Sequence, residues 1–112
     1  HFDITKDSFP TTDLWLCRDV LFHFSEEDIY RALGKFVDSG IPWILTTTFP
    51  EHVKNHDIPT GSFRLLNLEK PPFNFCPPID TLVDSVEGWQ KRILGLWDRE
   101  SVMQVLRMKG SV

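Results

Sequence analysis

An α/β fold is predicted by three features of the sequence. An apolar run, Leu14-Trp15-Leu16-Cys17, ends in the charged pair Arg18-Asp19; a capped amphipathic segment follows from Ser25 to Gly40; and a β-branched and aromatic run, Ile41 to Phe49, stands directly behind it. Strand, helix and strand at this spacing make one βαβ unit, whose crossover is right-handed in nearly all cases, so the two strands are expected to be parallel. Their polar ends, Arg18-Asp19 and Thr46-Thr47-Thr48, then fall on one edge of the sheet. That is the edge where open α/β sheets hold ligands.

Each element has its own signal. Residues 1–12 read as the end of a strand, Phe2-Asp3-Ile4, followed by a loop built on Asp7, Ser8, Pro10, Thr11 and Thr12. Because the chain opens on a strand fragment behind His1, a missing upstream segment is expected. The first full strand, Asp13 to Arg18, is a continuous apolar run and is expected to be buried on both faces. Ser25 starts the helix: its hydroxyl faces a carboxylate three residues on, Asp28, and Glu26 and Glu27 sit at the positive end of the dipole. Ile29, Leu33, Phe36 and Val37 recur at i, i+4, i+7 and i+8, an apolar stripe. Gly40 stands where a left-handed residue closes a helix, and Pro42 forbids its continuation. Ile41 to Phe49 is the second strand.

Residues 50–78 hold six of the eight prolines and show no periodicity, which is long for a plain connection. Phe63, Phe73 and Phe75 with Leu65, Leu66 and Leu68 supply apolar area to order the segment, so a lid-like excursion over the sheet edge is expected. Ile79 to Val86 and Arg92 to Trp97 then read as two strands around Glu87-Gly88-Trp89, an antiparallel pair. Asp98 to Lys109 is expected to be a final helix with Val102, Val105, Leu106 and Lys109 on one side. The chain is thus a single domain in three stretches: 1–49, 50–78 and 79–112.

Composition narrows the function classes. A length of 112 residues suits one domain, and 41% hydrophobic with 25% charged residues is ordinary for a soluble protein. No run approaches the roughly 18 apolar residues of a membrane span, so no membrane association is expected. A net charge of -4 without a basic block carries no footprint for nucleic acid. Cys17 and Cys76 form no CxxC pair and no signal peptide precedes them, which points to reduced thiols and a cytoplasmic setting.

Several residues carry possible chemistry. Arg18-Asp19 is placed to orient a carboxylate or a substrate proton; the plainer reading is an ion pair closing the strand. His23 has the intrinsic pKa of a general base, although a histidine packed between Phe22 and Phe24 is the commoner outcome. His52, His56 and Asp57 have ligand types, but the i, i+4 spacing converges only on a helix, which Pro50 and Pro59 oppose, so no metal is expected. Cys17 at a strand end is expected to be inert. Trp43, Phe63, Phe73, Phe75 and Trp97 are expected to pack the core and the excursion rather than to cage a substrate.

Taken together, CRDVLFHFS after DLWL, a capped helix, ILTTTFP, the run from Asn55 to Leu68, PPFNF and LGLW resemble the C-terminal half of a class I S-adenosylmethionine-dependent methyltransferase. The resemblance implies a partial Rossmann-like methyltransferase sheet, three-layered in character. In it this chain supplies strands four to seven, and Phe2 to Thr5 end strand three. It further implies that Asp3 accepts from the adenine amino group, that Ile4 backs the ring, and that Cys17, Arg18 and Asp19 border the methionine part of the cofactor. Asp19 and His23 are then the candidate catalytic groups, and Thr46, Asn55 and Asp57 fall on the substrate side. The family's glycine-rich loop and ribose-binding acidic residue are absent: glycines 34, 40, 61, 88, 95 and 110 make no GxGxG pattern.

An S-adenosylmethionine site is therefore expected to need residues beyond one copy of this chain. Three readings follow. The first is a truncated or separately encoded methyltransferase-like piece, not catalytic alone, that forms a homo-oligomer through the exposed strand 13–18. The second is an active methyltransferase completed by a partner chain that supplies the cofactor half, acting on a small-molecule or saccharide acceptor. The third is a non-enzymatic binding or oligomerisation module, with the proline-rich segment as its contact surface.

Overall fold

The computed structural model describes residues 3–110, with Gly110 as backbone only. The elements are β1 (Leu14–Cys17), a 3-10 turn (Leu21–His23), α1 (Glu26–Ser39), β2 (Trp43–Thr48), β3 (Asp80–Val83), β4 (Ile93–Asp98) and α2 (Arg99–Gly110). They form a small α/β domain around one four-stranded mixed sheet of order β1-β2-β4-β3. β1 and β2 are parallel, with Leu14 opposite Trp43 and Cys17 opposite Thr46. β4 runs antiparallel to both of its neighbours.

The helix signals act where the sequence puts them. The Ser25 side chain accepts from the Asp28 N–H at 3.1 Å, and Gly40 ends α1 at φ 78°, the left-handed region that glycine enters without a Cβ clash. Ile29, Leu33 and Phe36 are fully buried, and Ala32 joins them. At the start of α2, the Asp98 carboxylate accepts from the Ser101 N–H at 2.8 Å.

Burial along the sheet corrects the expectation of a first strand covered on both faces. Cys17 is 1% exposed and Trp15 packs on Phe36 with ring centroids 5.9 Å apart, whereas Leu14 and Leu16 are 41% and 57% exposed. The register puts Trp15, Cys17, Ile44 and Trp97 on one face and Leu14, Leu16, Trp43 and Leu96 on the other. Both helices contribute to the core on the first face: Phe36 and Val102 share one buried cluster with Cys17, Ile44 and Trp97. The domain therefore has two layers rather than the expected three. β1 reads as doubly buried because its exposed residues are as apolar as its buried ones.

A second correction concerns the N-terminal strand end. Residues 4–6 form a turn, closed by the Lys6 and Asp7 N–H groups on the Asp3 carbonyl; Phe2 lies outside the described residues. The proline-rich segment is ordered and irregular, as expected, but it is more than a cover. Leu66, Leu68, Phe73 and Phe75 belong to the core, and the Leu66 carbonyl accepts from the Phe49 N–H at 2.9 Å. Among the described residues no helix is long and apolar enough to cross a membrane.

Candidate functional site

The C-terminal ends of β1 and β2 are joined by threonine hydroxyls. Thr46 Oγ1 donates to the Cys17 carbonyl at 2.9 Å, and Thr47 Oγ1 accepts from the Asp19 N–H at 2.9 Å. Asp19 itself sits at φ 59°, a left-handed conformation that few non-glycine residues adopt and that concentrates at functional sites. This sharp turn presents Arg18 and Asp19 to the β3–β4 hairpin.

A closed ring of charges results. Arg18 grips Asp84 with both arms of its fork, Nε at 3.0 Å and Nη2 at 2.8 Å. Arg92 Nη1 donates to Asp19 Oδ1 at 3.1 Å, and its Nε lies 3.6 Å from Asp84 Oδ2. Arg18 Nε is also 4.0 Å from Asp19 Oδ2, so two cations and two carboxylates alternate with no net charge. The Arg18 guanidinium holds the Asp84 carboxyl below the usual carboxylate value, a bidentate charge-assisted pair. Asp84 follows β3 and Arg92 precedes β4, so the ring fastens the hairpin to the end of β1.

Beside Arg92 opens a pocket of about 490 Å³ lined by Phe22, Phe49, Phe63, Leu65, Val86 and Trp89, with Gly88 and Gln90 completing it. Its floor is aromatic: Phe22 packs edge-on against Phe49 at 5.6 Å and Phe63 at 5.4 Å between centroids. His23 adjoins this cluster, 4.5 Å from Phe22 and 5.9 Å from Phe63. With Nδ1 2.9 Å from the Ser62 carbonyl, the neutral ring carries its proton there, and Nε2 remains the basic nitrogen.

The N-terminus of α1 forms a second polar cluster. Asp57 Oδ1 accepts from the Glu26 and Ile58 N–H groups, both at 2.9 Å, and Thr60 accepts from the Ser25 N–H while donating to Asp28. Beneath it lies Arg64, 2% exposed, whose Nη1 donates to the Phe22 carbonyl at 3.0 Å. Its Nε and Nη2 have no partner among the described residues, and burial lowers its pKa. Burial, with Asp57 nearby, raises that of Glu26.

The candidate residues from the sequence thus separate into groups. Cys17, Arg18, Asp19 and Thr46 meet at the β1–β2 edge, with Cys17 buried and its thiol pushed up to about 12 by desolvation. His23 lies by the aromatic cluster and Asp57 caps α1. Asn55 stands apart, its amide donating to the Asn67 and Pro71 carbonyls at 2.8 and 2.9 Å, which makes it a clamp on the proline-rich segment. Asp3 closes its own turn through Thr5 and lines a separate depression with Asp28, Arg31 and Thr60. Ile4 packs against the core.

Sequence reasoning missed Asp84, Arg92 and Trp89. Their signal was available in the hairpin: a carboxylate and a guanidinium at the two feet of one turn, with an exposed aromatic at its tip. Fold and site together define a small α/β domain with a charged ring and an aromatic pocket near the C-terminal ends of its parallel strands. No protein-family model, curated protein or solved structure matches the chain.

Proposed function

We propose that this domain is the acceptor-side half of an S-adenosylmethionine-dependent methyltransferase-like sheet, that it is not catalytic alone, and that it assembles through the free edge of β1. The observation that carries the reading is the position of β1. It ends the sheet, with Leu14 and Leu16 exposed on an uncovered face, where the resemblance implies a neighbouring strand from the cofactor half. An apolar edge strand of this kind favours pairing with another chain. The parallel unit β1-α1-β2 and the antiparallel pair β3-β4 agree with the roles expected of strands four to seven. Asp19, strained and held at the C-terminal ends of the parallel strands, is the group best placed to accept an acceptor proton.

Light scattering and a calorimetric titration with S-adenosylhomocysteine test both halves of this proposal. The chain is expected to assemble at high micromolar concentration, and Leu16→Asp, a change at an exposed side chain, to return it to a folded monomer that takes up no ligand. A wild-type monomer whose β1 amides resist hydrogen exchange would sink the assembly. Saturable binding by the Leu16→Asp monomer would overturn the incomplete site. A second reading, an active enzyme completed by another polypeptide, is favoured by the strained backbone of Asp19. Ligand uptake of about one per chain only in an assembled form would establish it.

A further inference from the structure

The aromatic pocket has features that the methyltransferase reading does not use. Its volume falls within the range of small-molecule sites, roughly 300 to 1,000 Å³. Phe22 and Phe49 form its floor at 5% and 7% exposure, whereas Phe63, Val86 and Trp89 stand around its mouth at 57%, 57% and 80%. Single exposed apolar groups are ordinary, but three lining one concavity from two sides mark a binding surface.

The base of the hairpin and the Phe63 side of the pocket are held in place before any ligand arrives. The feet of the hairpin are closed by Asp84 N–H on the Arg92 carbonyl at 3.0 Å and by the Ser85 hydroxyl, which accepts from the Arg92 N–H at 2.9 Å. Only the tip, from Val86 to Lys91, projects beyond this closure. On the opposite side, the Arg64 N–H bonds to the Phe22 carbonyl and the Gly61 N–H to the His23 carbonyl, which fixes Phe63 against the 3-10 turn.

Hydrogen-bonding capacity decides between occupants. Aromatic walls alone would suit an organic cation, through attraction to the ring faces. Here Arg92 is the one ionisable residue in the lining, and Asp19 and Asp84 stand outside it. Its Nη1 is bound to Asp19 and its Nε to the Asp84 carbonyl, which fixes the plane of the guanidinium; Nη2 makes no hydrogen bond among the described residues. The charged ring as a whole is neutral, so the unused Nη2 decides: a guanidinium only donates, which serves a carboxylate in the pocket and offers nothing to an ammonium.

We infer that the pocket binds a planar aromatic small molecule bearing an anionic group, with its ring between Phe63 and Trp89 and its anion at Arg92. The site stands whether or not the domain takes part in methyl transfer. The test is a titration of the ¹⁵N-labelled chain with 2-naphthoate, with 2-naphthylmethylammonium as the cationic counterpart. Saturable shifts at Phe63, Trp89 and Arg92 are expected, with the cation at least about tenfold weaker. Trp89→Ala, which removes a side chain that is mostly in solvent, should weaken naphthoate about tenfold. The inference is overturned by an absence of saturable shifts up to about 5 mM. Equal affinity for the cation, unchanged affinity in Trp89→Ala, or shifts confined to Leu14, Leu16 and Trp43 on the bare sheet face would each overturn it as well.

Discussion

Single residues in this domain are set by their neighbours at close range. A Cβ on Gly95 would lie 2.6 Å from the Trp97 ring, and Trp97 is fully buried with its indole N–H on the Cys76 carbonyl at 2.7 Å. Gly95→Ala must displace that ring, so urea unfolding should show a loss of about 1–3 kcal/mol. The two thiols differ for a related reason. Cys17 is buried with a pKa of about 12, while Cys76 is exposed. A thiol-specific reagent at neutral pH should modify one cysteine per native chain, and two after denaturation. Asp84 has a folded pKa below its ordinary value of 3.8, because of Arg18, so its stabilising contribution is full above that value and is lost as the pH falls through the folded one. Asp28, held down by the Thr60 hydroxyl, and Asp98, by Ser101, act in the same direction. Glu26 acts oppositely, since burial raises it and its ionisation opposes folding as the pH rises through that raised value. The melting temperature should therefore fall as the pH drops below about 3.8, and Asp84→Asn should flatten that slope.

Among the elements, α1 is specified locally and the proline-rich segment is not. Ser25→Ala removes the cap on the Asp28 N–H and should cost about 1 kcal/mol, read from chemical denaturation. The segment behaves differently because two asparagines do the work that a regular ladder does elsewhere. Asn67, 2% exposed, donates to the Pro50 and His52 carbonyls and accepts from the Glu69 N–H, while Asn55 accepts from the Asn67 N–H. Asn67→Leu would leave those part-buried backbone groups without their side-chain partner, at about 1–3 kcal/mol. Limited proteolysis should then cut between residues 50 and 60 well before the rest of the chain, and an intact segment would refute this account.

At the scale of the molecule, a radius of gyration of 13.3 Å matches the roughly 13 Å of a folded domain of about 100 residues. The open side of the sheet is therefore a feature of a well-packed unit. β2 and β4 lie between paired strands, whereas β1 has one partner and a bare face. In dilute monomer, the amides of β2 and β4 should exchange slowest and those on the outer edge of β1 fastest, with assembly selectively slowing the latter. Equal protection of β1 and β2 in the monomer would show the edge to be covered from within the chain. The ring of Arg18, Asp84, Arg92 and Asp19 ties residues far apart in sequence, joining the parallel unit to the hairpin.

The sequence by itself determined the elements whose causes lie within a few residues: the cap at Ser25, the stripe of Ile29, Leu33 and Phe36, the stop at Gly40, the parallel pair and the antiparallel one. It also brought Arg18, Asp19 and the threonines to one edge, because strand direction and a short crossover leave no other arrangement. The number of layers was not legible, since Leu14 and Leu16 have the same hydropathy as buried leucines, and exposure depends on what packs above them. Nor was the site, in which Asp84 reaches Arg18 and Arg92 reaches Asp19 only after the hairpin folds back along β2. Local signals act through hydrogen bonds and dihedrals of neighbouring residues, whereas pockets and charge rings are made by contacts between residues distant in sequence, which form only when the chain has packed.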